Sequence, residues 1–268
     1  MDAFLSAWRC PVLLLAASAA ALIYYFVFVR PLSPGRIASF TAGLALLIFL
    51  AASPLDRLAR EYLLSAEALI HVAAALVTPL FLVVAFPPAD GTPAKGPALP
   101  VLCWLAGSIS FSVWYLPALL DSALRTPWLW DLMLLTLAGG GVALWWPLFG
   151  PVRARRIKPV PAGIWYLFAA MIWCSFVGMI LAFTGLDRYQ PYVRSTDTLN
   201  ILSFIRNDLE LTRSADQETG GMLVWLCTML VFLNTIMVLF YKWYKSPEVR
   251  NEFAAPSGEI KKAREDQA

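Results

Sequence analysis

The chain has 268 residues, of which 59% are hydrophobic and only 15% are charged. Soluble globular domains contain about 45–50% apolar and about 25% charged residues, so this composition excludes an ordinary soluble domain and indicates an integral membrane protein. The net charge of +3 gives no indication of nucleic-acid binding.

The four cysteines are widely separated in the chain, and no two of them form a Cys-x-x-Cys pair. This spacing predicts neither a disulfide framework nor a thiolate metal site. We expect them to be small apolar residues of the bundle; they are Cys10, Cys103, Cys174 and Cys227.

Seven apolar stretches follow one another along the chain. A membrane-spanning helix requires about 20 mostly apolar residues, and the predicted spans cover residues 11–29, 37–52, 63–86, 99–117, 128–149, 164–183 and 222–241. The first contains AASAAA, which resembles a signal-peptide cleavage site, but the apolar run continues beyond it and predicts a retained span. We therefore predict an all-α bundle of seven transmembrane helices in one domain, residues 1–245, followed by a polar tail, residues 246–268.

The basic residues predict the orientation of the bundle. Thirteen of the 21 lysines and arginines lie on one side of it, including the cluster at 153–158 and the tail from Lys242. Because basic segments are retained in the cytoplasm, we predict a cytoplasmic C-terminus and an outward N-terminus. The longest outer loop, 185–221, carries apolar residues at helical spacing, which predicts a helix on the outer membrane surface; they are Leu199, Leu202, Ile205 and Leu209.

The sequence SAEALIH, at the start of the third predicted span, contains the single histidine of the chain. Glu67 and His71 are four residues apart and therefore share a helix face. Ionisable side chains within a span usually face the bundle interior. Three interpretations remain open at this point: a hydrogen-bonded pair that tethers helices, a metal- or proton-handling site, or a Glu67 side chain that extends to the membrane surface.

Other polar residues fall at the same membrane level, at the start of the fifth and seventh spans. Acidic residues are favourable at a helix N-terminus, and paired glycines allow helices to approach closely. We predict that Glu67 and His71 face the interior and hydrogen-bond to one of these spans, with Asp131 and Gln217 as partners. The predicted interior polar and packing residues are Glu67, His71, Asp131, Asp216, Gln217, Gly220 and Gly221.

Four aromatic residues flank the fourth and fifth spans. Tryptophan and tyrosine are common at membrane–water interfaces, so we predict an aromatic belt formed by Trp114, Tyr115, Trp128 and Trp130.

Six segments, in a fixed order, carry a family resemblance. They are SPLDRLAREYLLSAEALIH, WYLPALLDSALRTPWLWDLMLL, GGGVALWWPLFGPV, YLFAAMIWCSFVGMILAF, DQETGGMLVW and LFYKWYK. With them the chain resembles the multi-span CtaG family of bacterial cytochrome c oxidase assembly factors. The resemblance implies a multi-pass protein of the bacterial plasma membrane whose partners are membrane lipids and the subunits of a haem-copper oxidase.

The chain departs from the family pattern at the family's histidines. Where the family has two histidines four residues apart, this chain has Glu67 and His71, and the histidine of the family's Trp-His-Leu-Pro is Tyr115. The family's His-x-x-Glu-His corresponds to Trp130, Met133 and Leu134. Imidazole and soft thioether ligands suit copper, so His71, Glu67 and Met133 are the remaining metal candidates. One histidine and one glutamate cannot complete a copper site, and we expect copper binding to be weakened or lost.

Two functions fit this combination. The first is a membrane scaffold in the biogenesis of a haem-copper oxidase, and the alternative is a permanent accessory subunit of a respiratory oxidase. A third class, a retinal or ligand receptor, fits only the helix count, because no lysine for a retinal Schiff base lies in the middle of the seventh span. We do not expect an enzyme, because no nucleophile–base pair or metal triad can be assembled from these residues.

Overall fold

The computed structural model describes residues 8–92, 98–184, 189–193, 197, 200–208 and 210–247. Within these ranges the regular structure is helical, apart from one isolated bridge between Ala89 and Val152. The prediction of an all-α protein is confirmed for the described part of the chain. The C-terminal residues 248–268, which form nearly all of the predicted tail, lie outside it.

Ten α-helices can be numbered along the described residues, and one of them contains a π-helical turn at Ala73–Val77. A 3₁₀ turn follows α7 at Arg153–Arg155, and a short π-helix at Phe204–Asp208 precedes α10. The helices are α1 Val12–Phe28, α2 Pro34–Ala52, α3 Pro54–Glu61, α4 Leu64–Val84, α5 Ala98–Val113, α6 Pro117–Arg125, α7 Pro127–Phe149, α8 Val160–Phe183, α9 Gln190–Val193 and α10 Arg213–Tyr244.

Five of these helices are long and apolar enough to cross a membrane: α2, α4, α7, α8 and α10. The pair α5 and α6 qualifies as a sixth, broken span with a bend of 69°. Pro117 explains the bend, because a proline disfavours helical geometry in the residue before it and Leu116 is extended. The protein is therefore a multi-pass membrane protein, with five or six such spans in the described part of the chain, and the predicted seventh depends on α1, an apolar helix of 17 residues.

Helix α4 lies at the centre of the bundle. In its most apolar stretch 61% of the residues are buried, against 17% in α10. It packs between α2, α7 and α10, while α8 packs along α10 and α5 along α7. At the π-helical turn the carbonyl oxygen of Leu76 accepts a hydrogen bond of 2.9 Å from Trp145 Nε1. A Cβ at Gly141 would overlap the Ala75 carbonyl group, so this glycine lets α7 approach α4 closely.

The two ends of the bundle differ in chemistry. One end collects the first turns of α4, α7 and α10 together with the last turn of α8, and we call it the polar end because buried acidic and amide side chains lie there. At the opposite, basic end, the loop after α4 meets the loop after α7, where Arg155 Nε donates to the carbonyl oxygen of Thr92.

The segment before α10 contains part of the predicted surface helix. A π-helix at Phe204–Asp208 is present, and the side chain of Ile205 is buried against the bundle core. Leu199 and Leu209, which belonged to the predicted apolar face, lie outside the described residues. The location of this segment on the outer membrane surface stays a prediction.

Candidate functional site

The polar end contains two buried groups of ionisable side chains. We call Glu67 and His71 the histidine pair, and their side chains are completely buried. His71 Nδ1 lies 3.2 Å from Glu67 Oε1, and His71 Nε2 lies 2.9 Å from the carbonyl oxygen of Phe111. The imidazole stacks on the ring of Tyr115 with a centroid distance of 4.3 Å. The pair therefore links the first turns of α4 to the end of α5.

The polar atoms around the histidine pair are not all hydrogen-bonded. Within the described residues, Glu67 Oε2 and the Tyr115 hydroxyl have no hydrogen-bond partner, although both are buried. An unsatisfied buried polar group costs about 1–3 kcal/mol. The arrangement around the histidine pair is therefore not optimised for stability alone.

Asp216, in the first turn of α10, fixes the start of α4. Its carboxylate accepts hydrogen bonds from the backbone N–H of Leu64 (2.8 Å), the backbone N–H of Ser65 (3.1 Å) and the Ser65 hydroxyl (2.6 Å). The first N–H groups of a helix have no partner within that helix, so the carboxylate caps α4 from a different helix. This cap sets the position from which the side chain of Glu67 enters the bundle.

The glycine pair after Asp216 allows this contact. A Cβ at Gly220 would lie 3.3 Å from the backbone of Leu64 and Ser65, and one at Gly221 would overlap the backbone of Ala182 in α8. Gly220 and Gly221 therefore face α4 and α8 respectively, and both helices approach α10 closely.

Two tyrosines from the segment between α8 and α10 donate hydrogen bonds to backbone carbonyl groups at the polar end. The Tyr189 hydroxyl donates to the carbonyl oxygen of Tyr115 (2.8 Å), and the Tyr192 hydroxyl donates to that of Ala59 (2.6 Å). Burial raises the pKa of Tyr192, and the carboxyl groups of Glu67 and Asp216 raise it further. Tyr192 is therefore a neutral hydrogen-bond donor at physiological pH.

The second buried group, which we call the charge cluster, consists of Arg9, Asp56, Arg60 and Asp131. Arg9 Nη2 lies 2.6 Å from Asp131 Oδ1, and Arg9 Nε lies 3.2 Å from Asp56 Oδ2. Arg60 Nη1 is 3.8 Å from the same oxygen of Asp56. The two aspartates are almost fully buried. The cluster joins the segment before α1 to α3 and to the N-terminal part of α7.

Burial shifts the pKa values of Asp56 and Arg60, the two residues of the charge cluster on α3. Burial raises the pKa of Asp56 to about 6, and the guanidinium groups of Arg9 and Arg60 oppose this increase. Burial also lowers the pKa of Arg60, and Asp56 opposes that decrease. Desolvation thus changes the pKa of Asp56 more than the neighbouring arginines do.

The predicted partners of the histidine pair were wrong. Asp131 binds Arg9 rather than His71, and Gln217 Nε2 donates to the carbonyl oxygens of Leu181 (3.2 Å) and Thr184 at the end of α8. A permanently charged guanidinium is a stronger partner for a carboxylate than an imidazole, and the last carbonyl groups of a helix need donors. The actual partner, the Phe111 carbonyl group, is a backbone atom that side-chain patterns do not reveal.

The aromatic-belt prediction was wrong for three of its four residues. Trp114, Tyr115 and Trp130 are buried, whereas Trp128 is 59% exposed. Trp114 Nε1 donates to Thr136 Oγ1 at 3.0 Å, and Tyr115 carries the stacked imidazole. These rings point inward because α5 and α7 pack together at this end of the bundle.

Most of the chain matches the model of one known protein family. Residues 22–246 match the model of the Caa3_CtaG family, described as cytochrome c oxidase caa3 assembly factors. The chain belongs to this family. The resemblance found in the sequence is thereby confirmed.

Two curated relatives of this Caa3_CtaG member come from mycobacteria. An uncharacterized protein of Mycobacterium bovis and one of Mycobacterium tuberculosis are each 27% identical to it over 129 residues. The aligned part is 48% of this chain and only 18% of each relative, so the chain spans a small part of the proteins it matches. No solved structure matches it significantly.

The metal candidates predicted from the sequence are His71, Glu67 and Met133. Within the described ranges, no three histidine, cysteine or acidic side chains are grouped so that they could hold a metal ion. Both ring nitrogens of His71 are in hydrogen-bond contact with protein atoms. Met133, Trp130 and Leu134 are buried in the hydrophobic core.

Proposed function

We propose that this protein acts in the biogenesis of a haem-copper oxidase in the bacterial plasma membrane, as a membrane scaffold that has no copper site of its own. The family match over residues 22–246 carries the first part of this proposal. The second part is supported by the histidine pair, in which both ring nitrogens of His71 are in hydrogen-bond contact with protein atoms. Its partners would be the oxidase subunits and the surrounding lipids.

The chemistry of the candidate ligands supports the absence of a copper site. Imidazole binds a metal through an unprotonated ring nitrogen, and a metal on either nitrogen of His71 would displace a hydrogen bond of the fold. Glu67 is a hard oxygen ligand that does not favour Cu(I). The described residues hold no group of three histidine, cysteine or acidic side chains that could bind a metal ion, and the family is described as assembly factors rather than catalysts. Both observations support a non-enzymatic role.

The proposed topology has seven spans, with the polar end outside and the basic end in the cytoplasm. Helix α1 has 17 residues, which at about 1.5 Å per residue is about 25 Å, at the short limit of a membrane crossing. The bias of thirteen against eight basic residues supports the orientation. Residues 1–245 would then form one domain, with 246–268 as a cytoplasmic tail.

Deletion of the gene tests the proposed role. We expect the membranes of the deletion strain to contain less assembled oxidase, measured by haem spectra and by cytochrome c or quinol oxidation, and the wild-type gene to restore it. Arg57→Ala, which removes a partly exposed ion pair on α3, should restore it equally well. Unchanged oxidase levels in the deletion strain would refute the assembly role.

Co-purification separates this role from that of a permanent accessory subunit. We expect a tagged copy to recover oxidase subunits in substoichiometric amounts, because an assembly factor leaves the finished complex. A one-to-one complex of constant composition would instead support the alternative.

A further inference from the structure

The hydrogen-bond geometry of the histidine pair determines where its hydrogens must be. His71 Nε2 lies 2.9 Å from the carbonyl oxygen of Phe111. A carbonyl oxygen accepts hydrogen bonds and cannot donate them. His71 Nε2 must therefore carry a hydrogen, and Nδ1 must carry the second hydrogen if the ring is charged or act as an acceptor if it is neutral.

The contact between His71 Nδ1 and Glu67 Oε1, at 3.2 Å, needs one more hydrogen. Either the imidazolium donates to the carboxylate, or the protonated carboxyl group donates to the neutral ring. We propose that Glu67 and His71 are a proton-binding site in which the two side chains share one proton and carry no net charge. The two forms differ only in which atom holds the proton.

The alternative without the shared proton is unfavourable at this location. Two acceptors would face each other, and the carboxylate would be an uncompensated charge in a completely buried position. Within the described residues the ion pair of Glu67 is with His71. Tyr115 and Tyr192 interact electrostatically with Glu67, and the other side chains named as acting on these two tyrosines cannot carry a positive charge; they are Tyr189, Cys174, Asp121 and Asp216.

The arginines of the charge cluster do not change this balance. Arg9 and Arg60 of the charge cluster are bound to Asp56 and Asp131. Their positive charges are thus compensated by other carboxylates. A cation that bound His71 would have to displace the shared proton and break one of the two hydrogen bonds.

The single histidine makes the proposal directly testable in the full-length protein. In protein labelled with ¹⁵N-histidine and purified in nanodiscs at neutral pH, one pair of ring nitrogen signals reports both protonation states. Infrared difference spectra between wild type and Glu67→Gln report whether the carboxyl group is protonated. We expect either two protonated nitrogens with an ionised carboxyl group, or a proton on Nε2 alone with a protonated carboxyl group.

Two results would overturn the proposal: a neutral ring beside an ionised carboxyl group, or a ring protonated on Nδ1 alone. Glu67→Gln also serves as the matched control, because its amide can donate to Nδ1 without a shared proton. In that variant the Nδ1 signal should be that of an unprotonated nitrogen, whichever of the two forms the wild type has. If the variant does not fold, ¹³C-glutamate labelling of the wild type identifies a protonated carboxyl band instead, since glutamates on the surface are ionised at neutral pH. This inference does not depend on the proposed function.

Discussion

The charge cluster and the histidine pair lie at the same end of the bundle, but they achieve neutrality differently. The cluster takes its two arginines and two aspartates from three separate parts of the chain, and the charges compensate one another through ion pairs. The histidine pair lies on one face of α4 and is neutral through one proton. The cluster therefore connects three separate segments of the chain, whereas the pair links only α4 and α5. Removing the pair leaves the ion pairs of the cluster intact.

Removing one charge from the cluster should have the largest effect. Asp131→Ala leaves the cluster with a net positive charge, because Arg9 retains only Asp56. Breaking a buried pair costs about 3–5 kcal/mol, and we expect about 3 kcal/mol here because one partner remains. Unfolding of the purified protein in detergent measures this loss.

The matched control for that variant is Arg57→Ala, on the same helix as Asp56. Its ion pair with Glu61 is between one third and two fifths exposed, and exposed pairs contribute about 0–1 kcal/mol. Equal losses in the two variants would show that the buried cluster does not connect the segments as described.

The pH dependence of stability should depend on Asp56. Burial raises the pKa of Asp56 to about 6, so between about pH 4 and pH 6 the folded protein holds a proton that the unfolded chain has lost. Its contribution to stability is fully present below pH 4 and is lost as the pH rises to 6. We expect a loss of roughly 2–3 kcal/mol over this range, visible as a difference between wild type and Asp56→Asn. A constant difference between the two proteins would contradict this.

The cap that positions the histidine pair should have an intermediate effect. Asp216→Ala removes the acceptor of three hydrogen bonds at the start of α4. Hydrogen bonds to charged groups contribute about 1.5–3 kcal/mol, and we expect a loss of about 2 kcal/mol because Ser65 can rearrange. Glu218→Ala, two residues along the same helix at an exposed position, should unfold like wild type. A similar loss in both variants would argue against the cap.

Replacing the histidine itself should have the smallest effect on stability. His71→Phe retains an aromatic ring against Tyr115 but loses the hydrogen bond to the Phe111 carbonyl group. Hydrogen bonds between membrane helices average about 0.6 kcal/mol, so we expect a loss of about 1 kcal/mol in thermal unfolding. A loss as large as that of Asp131→Ala would show that the histidine pair also holds the fold together.

Much of this end of the molecule could be predicted from the sequence. Apolar length predicted the helical class and most of the spans, and the Glu67–His71 spacing placed both residues on one face of α4. Arg9 was missed as a partner of Asp131 because it precedes the first apolar stretch, and spacing within a helix says nothing about contacts 122 residues apart. The inward direction of Trp130 could not be predicted either, because tryptophan suits both an interface and a core.

The copper content of the purified protein tests whether it has a copper site of its own. The full-length protein should be purified in mild detergent from cells grown with added copper, and its copper per chain measured beside that of His71→Ala. We expect no stoichiometric copper in either protein, because both ring nitrogens of His71 are engaged within the fold and Tyr115, Trp130 and Leu134 stand where the family resemblance would imply histidines. About one copper per chain in the wild type, lost in His71→Ala, would contradict it.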